Sequence, residues 1–179
     1  MLRIEIPETE VFNERDNTFQ IVNETSITLE HSLVSLSKWE SKWCTPFLSK
    51  YEKSTAETLD YIKFMTLTQN VDDSVYARLT DKNYEEIKNY IESPMTATTI
   101  GDKKKKPSRE IITAEIIYYW MIALGIPFEC QKWHLNRLLT LISVCSIKQQ
   151  KPTKMSKKEL MAKNQALNAE RKAALGTSG

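Results

Sequence analysis

The chain has 179 residues, 41% of them hydrophobic and 27% charged, a composition that supports a packed core and excludes fibrous, collagenous and wholly disordered classes. Its length suits one domain, or one domain with an appended tail. The formal net charge of +2 hides a division: residues 1–99 carry seventeen acids and ten bases, a net −7, whereas residues 100–179 carry six acids and fifteen bases, a net +9.

The first 50 residues read as strand-rich. LRIEI (2–6) alternates, with Leu2, Ile4 and Ile6 on one side and Arg3 and Glu5 on the other. TFQIV (18–22) and SITLEHSL (26–33) are β-prone runs separated by Asn23-Glu24-Thr25, which predicts a hairpin between them. In LSKWESKWCTPFL (36–48), Trp39, Trp43 and Phe47 recur at i, i+4 and i+8, one aromatic stripe of a helix that Pro46 limits. Packing on the sheet is the favoured use of that stripe, and a partner platform the alternative.

Helical patterns follow. Ser54-Thr55-Ala56-Glu57 has the form of a capping box, ahead of Leu59, Ile62, Phe64, Met65 and Leu67. Asn83-Tyr84-Glu85-Glu86 opens a shorter helix with Ile87, Tyr90 and Ile91 inward, ended by Ser93-Pro94. The lysine-bearing segment 96–107 has no apolar period and predicts an exposed loop. REIITAEIIYYWMIALG (109–125) is apolar nearly all round, predicting burial on most faces, with Gly125 and Pro127 as its stop. QKWHLNRLLTLISVC (131–145) follows after a short connection, so the two predict a buried αα-hairpin at the centre of the domain. Beyond Pro152, Ser156-Lys157-Lys158-Glu159 is a second capping box, opening a basic helix over about 157–174 with Gly176 as its stop. Leu160, Leu167 and Ala174 form only a thin stripe on it, so this helix requires a partner.

The predicted fold is α+β: an N-terminal β-hairpin or small antiparallel sheet, then a helical domain with a buried αα-hairpin and a basic C-terminal helix. Residues 1–50 form the strand-rich part, 51–147 the helical core of the same domain with an exposed lysine loop at 101–107, and 148–179 the basic tail.

The chain is poor in recognisable chemistry. Four glycines build neither a GxGxxG nor a phosphate-binding loop. Cys44, Cys130 and Cys145 include no CxxC and read as reduced, mostly buried thiols. His31 and His134 are far apart in sequence; a zinc site on His134 and Cys130 would need further ligands, and the plainer reading is a core thiol beside a surface imidazole. Glu110, Glu115, Glu129 and His134 are the best set for catalysis, but their spacing matches no known motif. The expectation is therefore no enzyme, no cofactor and no metal. No signal peptide is visible, and the longest apolar run, Ile116–Phe128, is shorter than the roughly 20 residues that span a bilayer. That predicts a soluble protein without a membrane partner. A nucleic-acid role through the basic half is disfavoured, since the lysine run lacks interleaved arginines and aromatics and the front half is acidic. A protein-interaction module accounts for the polarised charge and the thin tail together. Its candidate partner-binding residues are Lys157, Lys158, Lys163, Arg171 and Lys172, with Trp39 and Trp43.

The blocks LSKWESKWCTPFL (36–48), ITAEIIYYWMIALGIPFECQKWHLNRLLTLISVC (112–145) and LNAERKAALGTSG (167–179) resemble those of tailed-bacteriophage morphogenesis proteins, most of all the tail assembly chaperones. The resemblance covers about a third of the chain and includes no catalytic motif. It implies a non-enzymatic assembly factor that binds the tape-measure and tail-tube proteins in the host cytoplasm, either alone or as a homo-oligomer. A structural virion subunit, at the neck, tail terminator or baseplate, is the alternative it leaves open, and would place the protein in the virion.

Overall fold

The computed structural model describes residues 1–13, 17–100, 111–149 and 157–176. It is an α+β fold. Four short strands come first, β1 (Leu2–Ile6), β2 (Thr9–Asn13), β3 (Thr18–Val22) and β4 (Thr25–Leu29). Helices α1 (Leu33–Trp43), α2 (Thr55–Met65), α3 (Asp73–Ala77), α4 (Asp81–Glu92) and α5 (Ala114–Ala123) follow. A 3-10 turn at Phe128–Lys132 leads into α6 (Leu135–Gln149), and α7 spans Lys157–Leu175. Compact packing divides the chain into residues 1–146 and residues 147–179.

The strands are nested, which corrects the expected β3–β4 hairpin. β1 pairs antiparallel with β4, Leu2 opposite Leu29 and Ile6 opposite Thr25, while β2 pairs with β3, Thr9 opposite Val22. Partner numbers add to the same total in both ladders, so this is one long ribbon with a constant register, interrupted at Pro7-Glu8 and Asn23-Glu24. Pro7 has no N–H to give to a ladder. Arg78 closes the interruption, donating from Nη1 to the carbonyls of Pro7 (3.2 Å) and Asn23 (3.3 Å) and from Nη2 to the Thr25 hydroxyl (3.3 Å). Burial overrides the local turn signal: pairing β1 with β4 places Ile4, Ile6, Ile27 and Leu29, all essentially without exposure, on one inward face.

Two apolar clusters fill the body. One joins that face to Trp39 of α1, Tyr61, Ile62 and Met65 of α2, and Ile87 and Tyr90 of α4. The other joins Leu33 and Leu36 of α1 to Ile117 and Met121 of α5 and to Leu135, Leu138 and Ile142 of α6. Helix α1 serves both clusters, so it, and not an α5–α6 hairpin, is the centre of the body. Helix α5 packs against α1. Nor is α5 buried on most faces, because Tyr119 and Ile122 are exposed.

Local signals set most helix ends. Ser54 and Glu57 form the expected capping box, Ser54 accepting from the Glu57 N–H while the Glu57 carboxylate accepts from the Ser54 N–H at 2.7 Å. Thr80 and Asn83 cap α4 in the same way, two residues before its expected start. Gly125 at φ +65° and Gly176 at φ +61° take the left-handed conformation where the chain leaves α5 and α7, as a helix stop requires. The short α3, capped by Asp72, has no periodic apolar pattern and is not expected from the sequence.

Candidate functional site

Helix α7 is described over Lys157–Leu175, against an expected extent of about 157–174. All its described side chains, from residue 161 onwards, are exposed, including Lys163, Arg171 and Lys172 and the apolar Met161, Leu167 and Leu175. Lys157 and Lys158 open the helix, but their side chains, the Ser156 cap and the lysine loop at 101–107 lie outside the described residues.

The tryptophans are placed differently. Trp39 is fully buried, its indole N–H donating to the Glu57 carbonyl at 2.8 Å and its ring set edge-on against Phe47. It holds α1 against α2 and is not a partner-binding surface, a correction to its candidacy. Trp43 is half-buried and donates to Asp60 Oδ2 at 3.1 Å, the carboxylate that also pairs with Lys42 at 2.6 Å. The aromatic stripe survives although α1 ends at Trp43: Cys44 turns left-handed at φ +50°, and Phe47 re-enters the cluster beyond it, stacked on Tyr61. That turn leaves Cys44 exposed, contrary to the expectation of mostly buried thiols; Cys130 is buried, Cys145 is half-buried, and all three are free.

Glu40 is a buried acid with an identifiable task. Its Oε1 accepts from the Phe47 N–H (2.8 Å) and its Oε2 from the Ala114 N–H (2.7 Å). Thr113, at the N-cap of α5, makes no side-chain cap bond, so a carboxylate from α1 caps α5 across space.

His31 and His134, remote in sequence, meet at the junction of the two clusters. Their rings are 5.1 Å apart, both are buried, and Ser32 and His134 form an isolated β-bridge. The surface imidazole expected for His134 is therefore corrected. His31 Nδ1 is paired with the Tyr61 hydroxyl. His134 Nδ1 accepts from the Asn136 N–H, so Nε2 carries the proton and donates to the Tyr90 carbonyl at 3.0 Å. The Tyr90 hydroxyl donates to Glu30 Oε1 at 2.7 Å, and the Met1 amino group lies 3.0 Å from Glu30 Oε2. Burial, with the His134 imidazole beside it, pushes His31 down to about 3, and burial also lowers His134 despite opposing contributions from the Tyr90 carbonyl and Glu30. Burial raises the Tyr61 and Tyr90 phenols. The result is a network of neutral rings at neutral pH, with His31 Nδ1 and both His134 ring nitrogens hydrogen-bonded within the fold.

The two described carboxylates proposed alongside His134 do not join it. Glu115 and Glu129 are exposed and Glu110 lies outside the described residues, while the acid whose charge reaches His134 is Glu30. Among the described residues no group of three or more His, Cys, Asp or Glu side chains is placed to hold a metal ion. Also among them, no helix is long and apolar enough to cross a membrane.

An apolar cleft of about 330 Å³ runs between α2 and α4, lined by Phe47, Tyr61, Ile62, Tyr84, Ile87 and Ile91. At its border, Lys53 Nζ lies 4.4 Å from the centre of the Phe47 ring and 4.9 Å from that of Tyr51. Partial burial lowers the Lys53 ammonium, with the Glu57 carboxylate acting in the opposite direction. Sequence periodicity could place these residues on inward faces but could not show that the faces leave a gap. No protein-family model, curated protein sequence or solved structure matches this chain.

Proposed function

We propose that this chain is a non-enzymatic assembly factor that docks onto other proteins through its basic C-terminal helix. The observation that carries the reading is α7 itself, nineteen residues long with all its described side chains exposed. A helix of that length is marginal in water without a tertiary partner, and its thin apolar stripe offers little burial of its own. Met161 and Leu167 supply apolar anchors, and Lys163, Arg171 and Lys172 supply charge that steers an acidic partner surface into place. The resemblance to tail assembly chaperones makes tape-measure and tail-tube proteins the partners of choice, with a structural virion subunit as the competing role.

The test is co-expression of the full chain with candidate tape-measure and tail-tube proteins, followed by affinity capture. Wild type should retain a partner, and the triple variant Lys163→Glu, Arg171→Glu, Lys172→Glu should bind at least about tenfold more weakly with an unchanged thermal midpoint. Equal capture by both proteins would remove α7 as the docking element. Stoichiometric presence in purified virions, measured by mass spectrometry, would replace the chaperone role with the structural one.

A further inference from the structure

The ribbon and the cleft are complementary surfaces in different parts of the same domain. Within the described residues, β2 and β3 pair only with each other, so this outer section of the ribbon is a two-stranded arm. Register continues unchanged across the interruption, and Ile21 and Phe19 follow Ile27 and Leu29 at odd-numbered positions of the returning chain. Ile27 and Leu29 are buried, but Ile21 and Phe19 are 62% and 71% exposed. The inward face of the body thus extends outward as an apolar arm face. Glu10 lies directly opposite Ile21 in the ladder and is also exposed, so a carboxylate borders the same face.

The cleft between α2 and α4 has the reciprocal character. Its lining is almost wholly apolar, and its volume is at the small end of the roughly 300–1,000 Å³ typical of ligand pockets. Lys53 and Lys88 stand on its border against the single acid Glu92. Glu57, the other acid near Lys53, is hydrogen-bonded to Ser54 and Tyr51 and also acts on the Lys53 charge. An occupant suited to this site presents aliphatic and aromatic side chains beside a carboxylate.

We propose that the β2–β3 arm of one copy of this chain docks in the α2–α4 cleft of a second copy, Ile21 and Phe19 entering the cleft and Glu10 meeting Lys53 or Lys88. Arm and cleft are different patches, so the contact is head-to-tail, and a docked pair keeps one unoccupied arm on one copy and one unoccupied cleft on the other. Repetition closes a ring or extends a filament. The interface does not involve α7 and stands independently of the docking role given to that helix.

Complementation between two full-length variants tests this directly. The arm variant is Phe19→Asp with Ile21→Asp, both at exposed positions, and the cleft variant is Lys53→Glu with Lys88→Glu. Sedimentation velocity over a concentration series should show wild type assembling beyond a dimer. Each variant alone should associate at least about tenfold more weakly, with circular dichroism and thermal midpoint like wild type. Mixing the two should restore a one-to-one pair and nothing larger, because the arm variant still offers a cleft and the cleft variant still offers an arm. A wild type that stays monomeric throughout would overturn the proposal. So would a folded cleft variant that assembles as well as wild type, which would mean that arms pair with arms. If the cleft variant proves unfolded, Lys88→Glu alone serves, and wild-type assembly by that folded protein together with failure of the mixed pair would equally overturn the proposal.

Discussion

Helices α1 and α7 contrast in what surrounds them. Helix α1 has eleven residues, five of them buried, and supplies side chains to both apolar clusters. Helix α7 has nineteen, and its described side chains are all exposed. The longer helix is richer in residues of high intrinsic helix propensity, yet the shorter one organises the domain. Tertiary burial, not propensity, therefore decides which helix carries stability, and the helix left exposed is the one available for recognition.

The largest effect expected from that contrast is at Trp39. Trp39→Ala removes a fully buried indole and its bond to the Glu57 carbonyl, and should cost about 3–5 kcal/mol in urea unfolding. A loss below about 1 kcal/mol would mean that α1 is not the central element. Next is Glu40→Ala, which strips the only cap contact described for the α5 N-terminus from the α1 side and leaves the buried Ala114 N–H and the half-buried Phe47 N–H wanting; a loss of about 3 kcal/mol is expected. Hydrogen exchange should quicken first at the start of α5.

A third effect comes from acid. Unfolded imidazoles gain protons as pH falls through about 6.5, whereas folded His31 resists until about 3, so the unfolded state binds more protons between those values. Stability consequently drops as pH falls through this window, by roughly 2 kcal/mol at pH 5 for His31 alone. His134 acts in the same direction, within a network that also contains Glu30, the Met1 amino group and the Tyr61 and Tyr90 phenols. A thermal midpoint that is flat from pH 7 to pH 5 would show that the imidazoles are accessible to protons in the fold. The smallest effect belongs to α7: Leu167→Ala should change unfolding free energy by no more than about 0.5 kcal/mol, as expected of an exposed site. A larger loss would give α7 a place in the core and reduce its contrast with α1.

Local chemistry explains why some features were legible in advance. The Ser54–Glu57 capping box, the left-handed stops at Gly125 and Gly176 and the extent of α7 each depend on neighbours a few residues away. The β3–β4 hairpin had an equally plausible local turn, but pairing β1 with β4 buries four aliphatic side chains on one face, a gain that no loop sequence records. Trp39 looked the same in sequence whether it bound a partner or a neighbouring helix. In the site itself, the exposed bases of α7 were readable from charge alone, whereas the arm face and its cleft required knowing where each strand and helix stops.

By itself the sequence determined the α+β class, the capping box that opens α2, the glycine stops of α5 and α7 and the basic, thinly apolar C-terminal helix, because these follow from side-chain periodicity and short-range hydrogen bonding. Only the tertiary structure decided that α1 joins the two clusters, that His31 and His134 share a buried network, and that Glu40 caps a helix from across the fold. Those outcomes depend on which distant surfaces exclude water together, and that competition is settled by the whole domain at once.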